Sequence, residues 1–207
     1  MIRPPELEGV AFSEASEGDL RHDLRARTAL SLELAIGPAW ATVHQVHGSG
    51  VVRVEEPGQT GEADALWTTV SRLPIAVFTA DCFGVVLIAE GAVGAAHCGW
   101  PGASEDVVGH LRAVMVAAGY APRQAVLGPG IGPCCFEVGP EVAQLFPDEQ
   151  ATTSWGTTSV NLPAVIARQL DGVEISDVRR CTYHEPGWFS HRRNRDPERL
   201  AALGWLP

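Results

Sequence analysis

The sequence IAVFTADCFGVVLIAEGAVGAAHCGW, residues 75–100, contains three apolar runs that are separated by short turns. The runs are Ile75–Thr79, Val85–Ala89 and Ala92–Ala96. Continuous apolar runs of this length are typical of strands that are buried on both faces of a sheet. Because helical patterns flank these strands, we predict an α/β fold: a single-domain layered sandwich with mixed β-sheets and flanking helices over residues 1–207.

Patterns outside this stretch predict further elements. The clearest helix is expected after Ser104, which could cap it, and its apolar face extends to Met115. Gly18–Ala35 carries leucines at helical spacing, Pro57–Gly61 has the composition of a loop, and Asp196–Leu203 is expected to form a closing helix. No linker, repeat or low-complexity tract divides the sequence, which favours one domain.

Composition limits the classes of partner and the cellular location. The chain of 207 residues has 15 basic and 25 acidic residues, giving a net charge of −10, which disfavours nonspecific binding to nucleic acid or anionic membranes. It has no apolar run of about 18 residues and no apolar secretory signal, so we expect neither a membrane span nor export. An odd number of cysteines that includes an adjacent pair favours a reducing, cytoplasmic location.

All 15 basic residues are arginine, so the chain contains no lysine. A Schiff-base nucleophile, a pyridoxal-phosphate enzyme, a Walker A ATPase and a protein kinase each require a lysine. The sequence therefore excludes all four classes.

Soft metal ligands lie at the ends of three predicted strands. They are an imidazole in the segment His44-Gln45-Val46-His47-Gly48, the thiol of Cys82, and the imidazole of His97. Side chains at strand ends can converge although they are far apart in sequence. Two imidazoles and one thiolate leave a coordination position open on zinc, which is characteristic of a catalytic rather than a structural site.

The first and last of these ligands each have a competitor. A single histidine after a strand more often forms a cap or a hydrogen bond than a metal bond, and His44 competes with His47 at this position. We favour His47 because Gly48 marks the break in the strand. If the last strand continues, His97 and Cys98 point to opposite faces, and we expect His97 at the site and Cys98 in the core.

The residues beside these ligands have more than one interpretation. Cys82 could be an inert buried thiol, or a nucleophile that is paired with His97 in a cysteine hydrolase. Asp81 is costly to bury without a role, and it could orient a metal-bound histidine. Adjacent ligands strain a coordination sphere, so we expect Cys134 and Cys135 to pack rather than to bind metal.

Two further segments could bind anions. Arg192–Arg193 could bind a phosphate or a carboxylate, and the pair alone is equally consistent with a solvated basic turn. The glycine-rich loop Gly128–Gly132 precedes a predicted helix and offers backbone N–H groups to an anion, but such loops are common.

Six ordered segments together resemble one known family, the laccase-domain proteins that were historically named multicopper polyphenol oxidases. Members of this family are described as zinc-dependent purine nucleoside phosphorylases with adenosine deaminase activity, and bacterial members include the peptidoglycan editing factor. The matching segments are His44–Gly48, Ala63–Ala65, Thr79–Cys82, His97–Trp100, Gly128–Gly139, and Cys181–Tyr183 followed by Phe189–Arg193.

The resemblance implies an enzyme that converts adenosine, inosine, guanosine or methylthioadenosine to a free base and a sugar 1-phosphate. It implies small-molecule partners, a nucleoside and phosphate, without nucleic acid or membrane, in a monomer or weak homodimer. It also implies zinc at His47, Cys82 and His97. The other residues expected to act are Asp81 in catalysis and Arg192, Arg193 and Gln45 in substrate or phosphate binding.

Two alternatives remain open beside this function. A copper-dependent polyphenol oxidase is implied by the older family name, and copper could occupy the site adventitiously because Cu²⁺ outcompetes Zn²⁺. A multicopper cluster needs many imidazoles, whereas this chain has 7 histidines. A non-enzymatic, degenerate relative is the other alternative, because Pro101 stands where the family normally carries an arginine.

Overall fold

The computed structural model describes residues 1–5 and 7–207. Its strands are β1 (Val10–Phe12), β2 (Ala41–His44), β3 (Val51–Arg53), β4 (Gly58–Glu62), β5 (Ala65–Thr68), β6 (Ile75–Thr79), β7 (Phe83–Ala89), β8 (Ala92–Cys98), β9 (Gln124–Leu127), β10 (Gln150–Thr152), β11 (Thr158–Val160), β12 (Glu174–Asp177) and β13 (Leu200–Gly204). Its α-helices are α1 (Leu24–Leu34), α2 (Trp100–Ser104), α3 (Val107–Ala117), α4 (Pro140–Ala143), α5 (Leu162–Gln169) and α6 (His191–Asn194).

Two large mixed sheets carry the fold. The first has the strand order β1-β13-β6-β2-β4 and the second has the order β12-β9-β7-β8-β5-β3, while β10 and β11 form a separate hairpin. In the second sheet β7 pairs antiparallel with β8 and β9, whereas β12 pairs parallel with β9. Parallel and antiparallel pairs in one sheet, with helices outside, confirm the predicted mixed α/β class.

The layers follow from the alternation of side chains along the strands. Val77 of β6 and Val86 of β7 point into a core between the two sheets. Phe78 points the other way, into a cluster with Leu30 of α1. The opposite face of the second sheet packs on α3, where Met115 is fully buried. The result is a four-layer sandwich of helix, sheet, sheet and helix.

The C-terminal segment differs from its predicted structure. We expected Asp196–Leu203 to form a helix, but Leu200–Gly204 is the buried strand β13, which pairs antiparallel with β1 and β6. Leucine and alanine favour helices in isolation, but the place between two strands overrides that weak preference. Gly84 shows how tightly the sheets meet here, because a Cβ atom at that position would lie 2.3 Å from Ala202 Cβ.

Three other predicted boundaries are wrong. The helix predicted at Gly18–Ala35 begins at Leu24, because the Asp23 carboxylate caps it by accepting from two backbone N–H groups. Ser104 ends α2 rather than capping α3. Pro57–Gly61 overlaps the exposed edge strand β4, which pairs parallel with β2. Within the described part of the chain, no helix is long and apolar enough to cross a membrane.

Candidate functional site

The structure brings together His47, Cys82 and His97. His47 follows β2 and Cys82 follows β6. His97 is the second-to-last residue of strand β8, just before α2. One ligand atom from each lies within 4.8 Å of the other two. The two imidazole rings meet edge to face, with centroids 4.8 Å apart. Cys98 is buried on the helix side of β8, as the alternation of side chains requires.

A buried carboxylate that the sequence did not single out fixes the side chain of His97 and the backbone of His47. Asp64 is fully buried, and its Oδ1 accepts from His97 Nδ1 at 2.8 Å. The same carboxylate accepts from the backbone N–H groups of Val46, His47 and Gly48 at 3.1, 3.0 and 2.7 Å. Because Asp64 occupies Nδ1 of His97, the Nε2 atom is left for the site.

Asp81 has a different role from the one we expected. Its Oδ1 accepts from the Thr182 hydroxyl at 2.7 Å and its Oδ2 accepts from the Arg192 backbone N–H at 2.6 Å. Asp64, not Asp81, therefore orients a histidine, and Asp81 instead connects the site to the C-terminal segment. His47 and Asp81 both adopt left-handed backbone conformations, with φ of 63° and 87°. Such conformations in residues other than glycine cluster at functional sites.

Charges alternate along the line from Cys82 through His97 to Asp64. Burial alone would raise the pKa of the Cys82 thiol, but the neighbouring His97 and His47 lower it from 9.0 to about 6. Burial would lower the pKa of His97, whereas Cys82 and Asp64 raise it from 6.5 to about 9. Burial would raise the pKa of Asp64, but hydrogen bonds from His97 and the Gly48 N–H lower it. The thiol is thus prepared to be a thiolate, the form that binds metal.

A pocket of about 180 Å³ opens onto His47 and Cys82. Arg192 lies at this pocket, with its guanidinium carbon 5.4 Å from the centre of the Phe136 ring. The other residues that line the pocket are Asp81, Gly99, Trp100, Pro101, Ile131, Phe136, Leu162 and His191. A few polar groups at the base of an apolar, partly aromatic pocket are typical of a site for a small flat ligand.

Gln45 and Arg193 do not line this pocket, and their polar groups are already bonded. The Gln45 amide donates to the Phe78 carbonyl and accepts from the Phe78 N–H, both at 2.8 Å, which extends the pairing of β2 with β6. The Arg193 guanidinium donates to the carbonyls of Tyr183, Glu185 and Trp188. Both side chains hold the backbone in this arrangement, and their contacts with substrate or phosphate stay predictions.

The family model described as multi-copper polyphenol oxidoreductase laccase matches residues 11–207. The chain belongs to this family. Its relatives include a purine nucleoside phosphorylase of Mycobacterium tuberculosis, which is 39% identical over 195 residues that cover 88% of this chain and 78% of that protein. A purine nucleoside phosphorylase of Streptomyces griseus is 37% identical over 196 residues, 87% of this chain and 80% of that protein.

Two solved structures have the same fold as this chain. YlmD from Geobacillus stearothermophilus superposes with a TM-score of 0.81 at 29% identity, covering 92% of this chain and 83% of that one. The hypothetical protein YfiH of Bacillus licheniformis superposes with a TM-score of 0.82 at 24% identity, covering 90% and 82%. The chain is thus a member of an enzyme family that contains proteins named as nucleoside phosphorylases.

Sequence reasoning missed Asp64 and Gly99 as residues that shape this laccase-family site. Asp64 was visible only as part of a matching segment, because an aspartate before a short strand carries no signal of its own. Gly99 was read as part of a motif without a role. A Cβ atom at position 99 would lie 2.7 Å from Cys82 Sγ and 3.6 Å from His47 Cδ2, so a side chain there would occupy the space between the ligands.

Proposed function

We propose that this chain is a zinc-dependent purine nucleoside phosphorylase that also deaminates adenosine. Its substrates would be adenosine, inosine, guanosine and methylthioadenosine. The observation that carries the proposal is the convergence of His47, Cys82 and His97 beside a mostly apolar pocket, which His47 and Cys82 line. Relatives at 37–39% identity that are named purine nucleoside phosphorylases support the choice of substrate class.

The residues present fit a zinc ion. Two imidazoles and one thiolate are a three-ligand set with a position open to water or substrate. Asp64 holds the Nδ1–H of His97 as the outer partner of a zinc-bound histidine does. Gly99 keeps the space beside Cys82 Sγ free of a side chain. When bound there, zinc would supply a Lewis acid beside the pocket.

The walls of the pocket suit a purine base. Phe136 and Trp100 offer aromatic faces, and Ile131 and Leu162 complete an apolar surface that would exclude water from a bound base. A pocket of about 180 Å³ is smaller than most sites for drug-sized ligands, which measure about 300–1,000 Å³. This size favours a purine base inside the pocket with its sugar toward the mouth.

Arg192 is the residue of this chain that we assign to phosphate. One guanidinium N–H donates to the Glu137 carbonyl at 2.7 Å, and its backbone N–H is held by Asp81. Because arginine has five N–H donors, others remain for a bidentate contact with phosphate. The Asp81 and Glu137 contacts fix the position of Arg192 at the mouth of the pocket.

Two reactions would use this arrangement. In phosphorolysis a phosphate oxygen bonds to C1′ of the sugar while the N-glycosidic bond breaks, and the base leaves with its bonding electrons and takes up a proton. In deamination water replaces the amino group of adenosine and ammonia is released. The apolar walls orient the base in both reactions, and Arg192 would contribute only to the first.

Substitution of two of the three ligands tests the proposal. We expect His97→Ala and Cys82→Ser each to abolish both stoichiometric zinc and base release from inosine with phosphate. Cys98→Ser is the matched control, because it removes a neighbouring thiol that points into the core. Zinc content comes from mass spectrometry and base release from chromatography. Full activity in His97→Ala or Cys82→Ser would contradict the assignment.

A further inference from the structure

A second group of thiols converges outside the metal pocket. Cys134 and Cys135 end the glycine-rich loop, and Cys181 follows β12. Their three sulfur atoms lie within 4.8 Å of one another. Cys134 Sγ is 3.3 Å from Cys135 Sγ and 3.8 Å from Cys181 Sγ. Residues 46 positions apart in sequence are thus gathered into one all-sulfur cluster.

The backbone holds this cluster in place. The Gly130 N–H donates to the Arg180 carbonyl at 3.2 Å, and the Thr182 N–H donates to the Gly130 carbonyl at 3.1 Å. These two bonds join the loop to the segment on either side of Cys181. The Gly132 N–H also points at Cys181 Sγ, at 3.3 Å.

The cluster is accessible from solvent on one side. Cys134 is exposed and Cys181 is half-buried, and both line a cavity of about 500 Å³. Arg179 and Arg180 line the same cavity. Cys135 is 2% exposed and packs into the helix-side core. Its Sγ nevertheless lies 3.3 Å from that of Cys134, so both adjacent sulfur atoms can face one ion, contrary to our expectation that this pair only packs. An ion could therefore reach Cys134 and Cys181 from the cavity, with the buried Cys135 sulfur behind them.

We propose that Cys134, Cys135 and Cys181 bind one Cu(I) ion. Three sulfur atoms around an ion at about 2.3 Å would lie about 4 Å apart in a trigonal arrangement, close to the spacing of these thiols. Thiolate ligands select soft ions such as Cu(I). Among the described residues, no histidine or carboxylate joins the group. The set is sulfur alone, which favours Cu(I), whereas the two imidazoles of the first site suit zinc.

This site is chemically distinct from the one at His47, Cys82 and His97. That site offers two imidazoles and one thiolate, whereas the cluster offers sulfur alone. A Cu(I)–sulfur site is recognised by ultraviolet charge-transfer absorption and by X-ray absorption that shows sulfur neighbours without imidazole. The two sites can therefore be tested separately in the same chain.

The test uses the full chain with the first site removed by His47→Ala and Cys82→Ser. The reduced protein is titrated anaerobically with Cu(I) in competition with bicinchoninate, and free thiols are counted beforehand. We expect one Cu(I) per chain with three sulfur neighbours. Adding Cys134→Ser should weaken Cu(I) binding by more than about 100-fold. This exceeds the loss of about 10–100-fold that is typical when a residue hydrogen-bonded to a metal ligand is removed, because Cys134 would itself be a ligand. Adding Cys98→Ala, the control, should leave it unchanged.

Circular dichroism and thermal unfolding of each variant establish that the fold is kept, and Cys134 is chosen because an exposed side chain is the one least needed for packing. Three results would overturn the proposal: Cu(I) affinity that does not depend on Cys134, nitrogen neighbours in the X-ray absorption spectrum, or binding of zinc in place of Cu(I). Failure of the phosphorylase proposal would leave this test unaffected, because the first site is absent from the protein used.

Discussion

Asp64 and His97 are joined by a 2.8 Å hydrogen bond that also organises His47, because the same buried carboxylate accepts from the His47 backbone N–H at 3.0 Å. Two candidate ligands from different strands thus share one anchor. His47 adopts a left-handed conformation that three backbone N–H bonds to Asp64 hold in place. The geometry of the site therefore depends on a residue that does not itself belong to the ligand set.

Asp64→Asn tests this anchor. Asp64 Oδ1 accepts from His97 Nδ1 and from the His47 N–H, and Oδ2 accepts from the Val46 and Gly48 N–H groups. An amide has one acceptor oxygen, so it can keep only one of these two pairs, and its NH₂ group then faces the donors of the other pair. We expect zinc affinity to fall by about 10–100-fold, measured by competition with a chelator. Asp64→Ala should in addition lower the free energy of unfolding, because each unpaired buried N–H costs about 1–3 kcal/mol.

The matched control for Asp64→Asn is Asp19→Asn. Asp19 also accepts from backbone N–H groups and from a histidine ring, at His22 Nδ1, but it lies among exposed residues far from the ligands in sequence. Its substitution should leave zinc affinity unchanged. Equal effects of the two substitutions on zinc affinity would show that Asp64 acts through general stability rather than through His97.

Gly99→Ala tests the space between the ligands. The added Cβ atom would lie 2.7 Å from Cys82 Sγ, a distance that real Cβ atoms essentially never show, so Cys82 must move. We expect zinc per chain to fall well below one, while the melting temperature changes little. Gly37→Ala is the control, because nothing lies within 4 Å of a Cβ atom there. Full zinc occupancy in Gly99→Ala would mean that the ligand arrangement is looser than described.

Pro101→Arg tests whether phosphate binding is weakened in this chain. Pro101 lines the pocket in the first turn of α2, where the family resemblance leads us to expect an arginine. We expect the new guanidinium to lower the KM for phosphate and to raise turnover at low phosphate. Pro101→Gln, which adds a long neutral side chain, should not do so. Unchanged phosphate dependence in Pro101→Arg would show that the site relies on another cation.

Arg192→Gln and Arg193→Gln distinguish phosphate binding from stabilisation of the fold. Arg192 faces the pocket, so its loss should raise the KM for phosphate by about tenfold or more, as expected for a lost charged hydrogen bond. Arg193 donates to three carbonyls, so its loss should lower the free energy of unfolding by about 2 kcal/mol or more. Kinetics and thermal unfolding distinguish the two. A raised KM for phosphate in Arg193→Gln, with lost stability in Arg192→Gln, would contradict both assignments.

Much of the fold could be predicted from local pattern. The runs at 75–79, 85–89 and 92–96 lie within β6, β7 and β8, because strands buried on both faces need continuous apolar sequence. The closing strand could not be predicted in this way. Leu-Ala-Ala-Leu-Gly has no strand preference, and only its place between β1 and β6 makes it β13.

The candidate site was predictable where strand ends carry distinctive side chains. His47, Cys82 and His97 stood out as soft ligands, and the structure gathers them. The partners of those ligands did not stand out. Asp64 reaches His97 through the pairing of β5 with β8, a register that the sequence does not specify. The bonds of Gln45 and Arg193 to backbone carbonyls could not be predicted either, because they form only in the folded chain.

The central claim is that one zinc ion at His47, Cys82 and His97 supports phosphorolysis of purine nucleosides. The most direct test is a paired measurement on one preparation expressed without added copper: metal content by mass spectrometry, then products from adenosine with and without phosphate. The account predicts about one zinc per chain, base and sugar 1-phosphate only when phosphate is present, and inosine in both cases. Zinc-loaded protein that turns over no nucleoside, or stoichiometric copper at these ligands with oxidation of phenols, would contradict it.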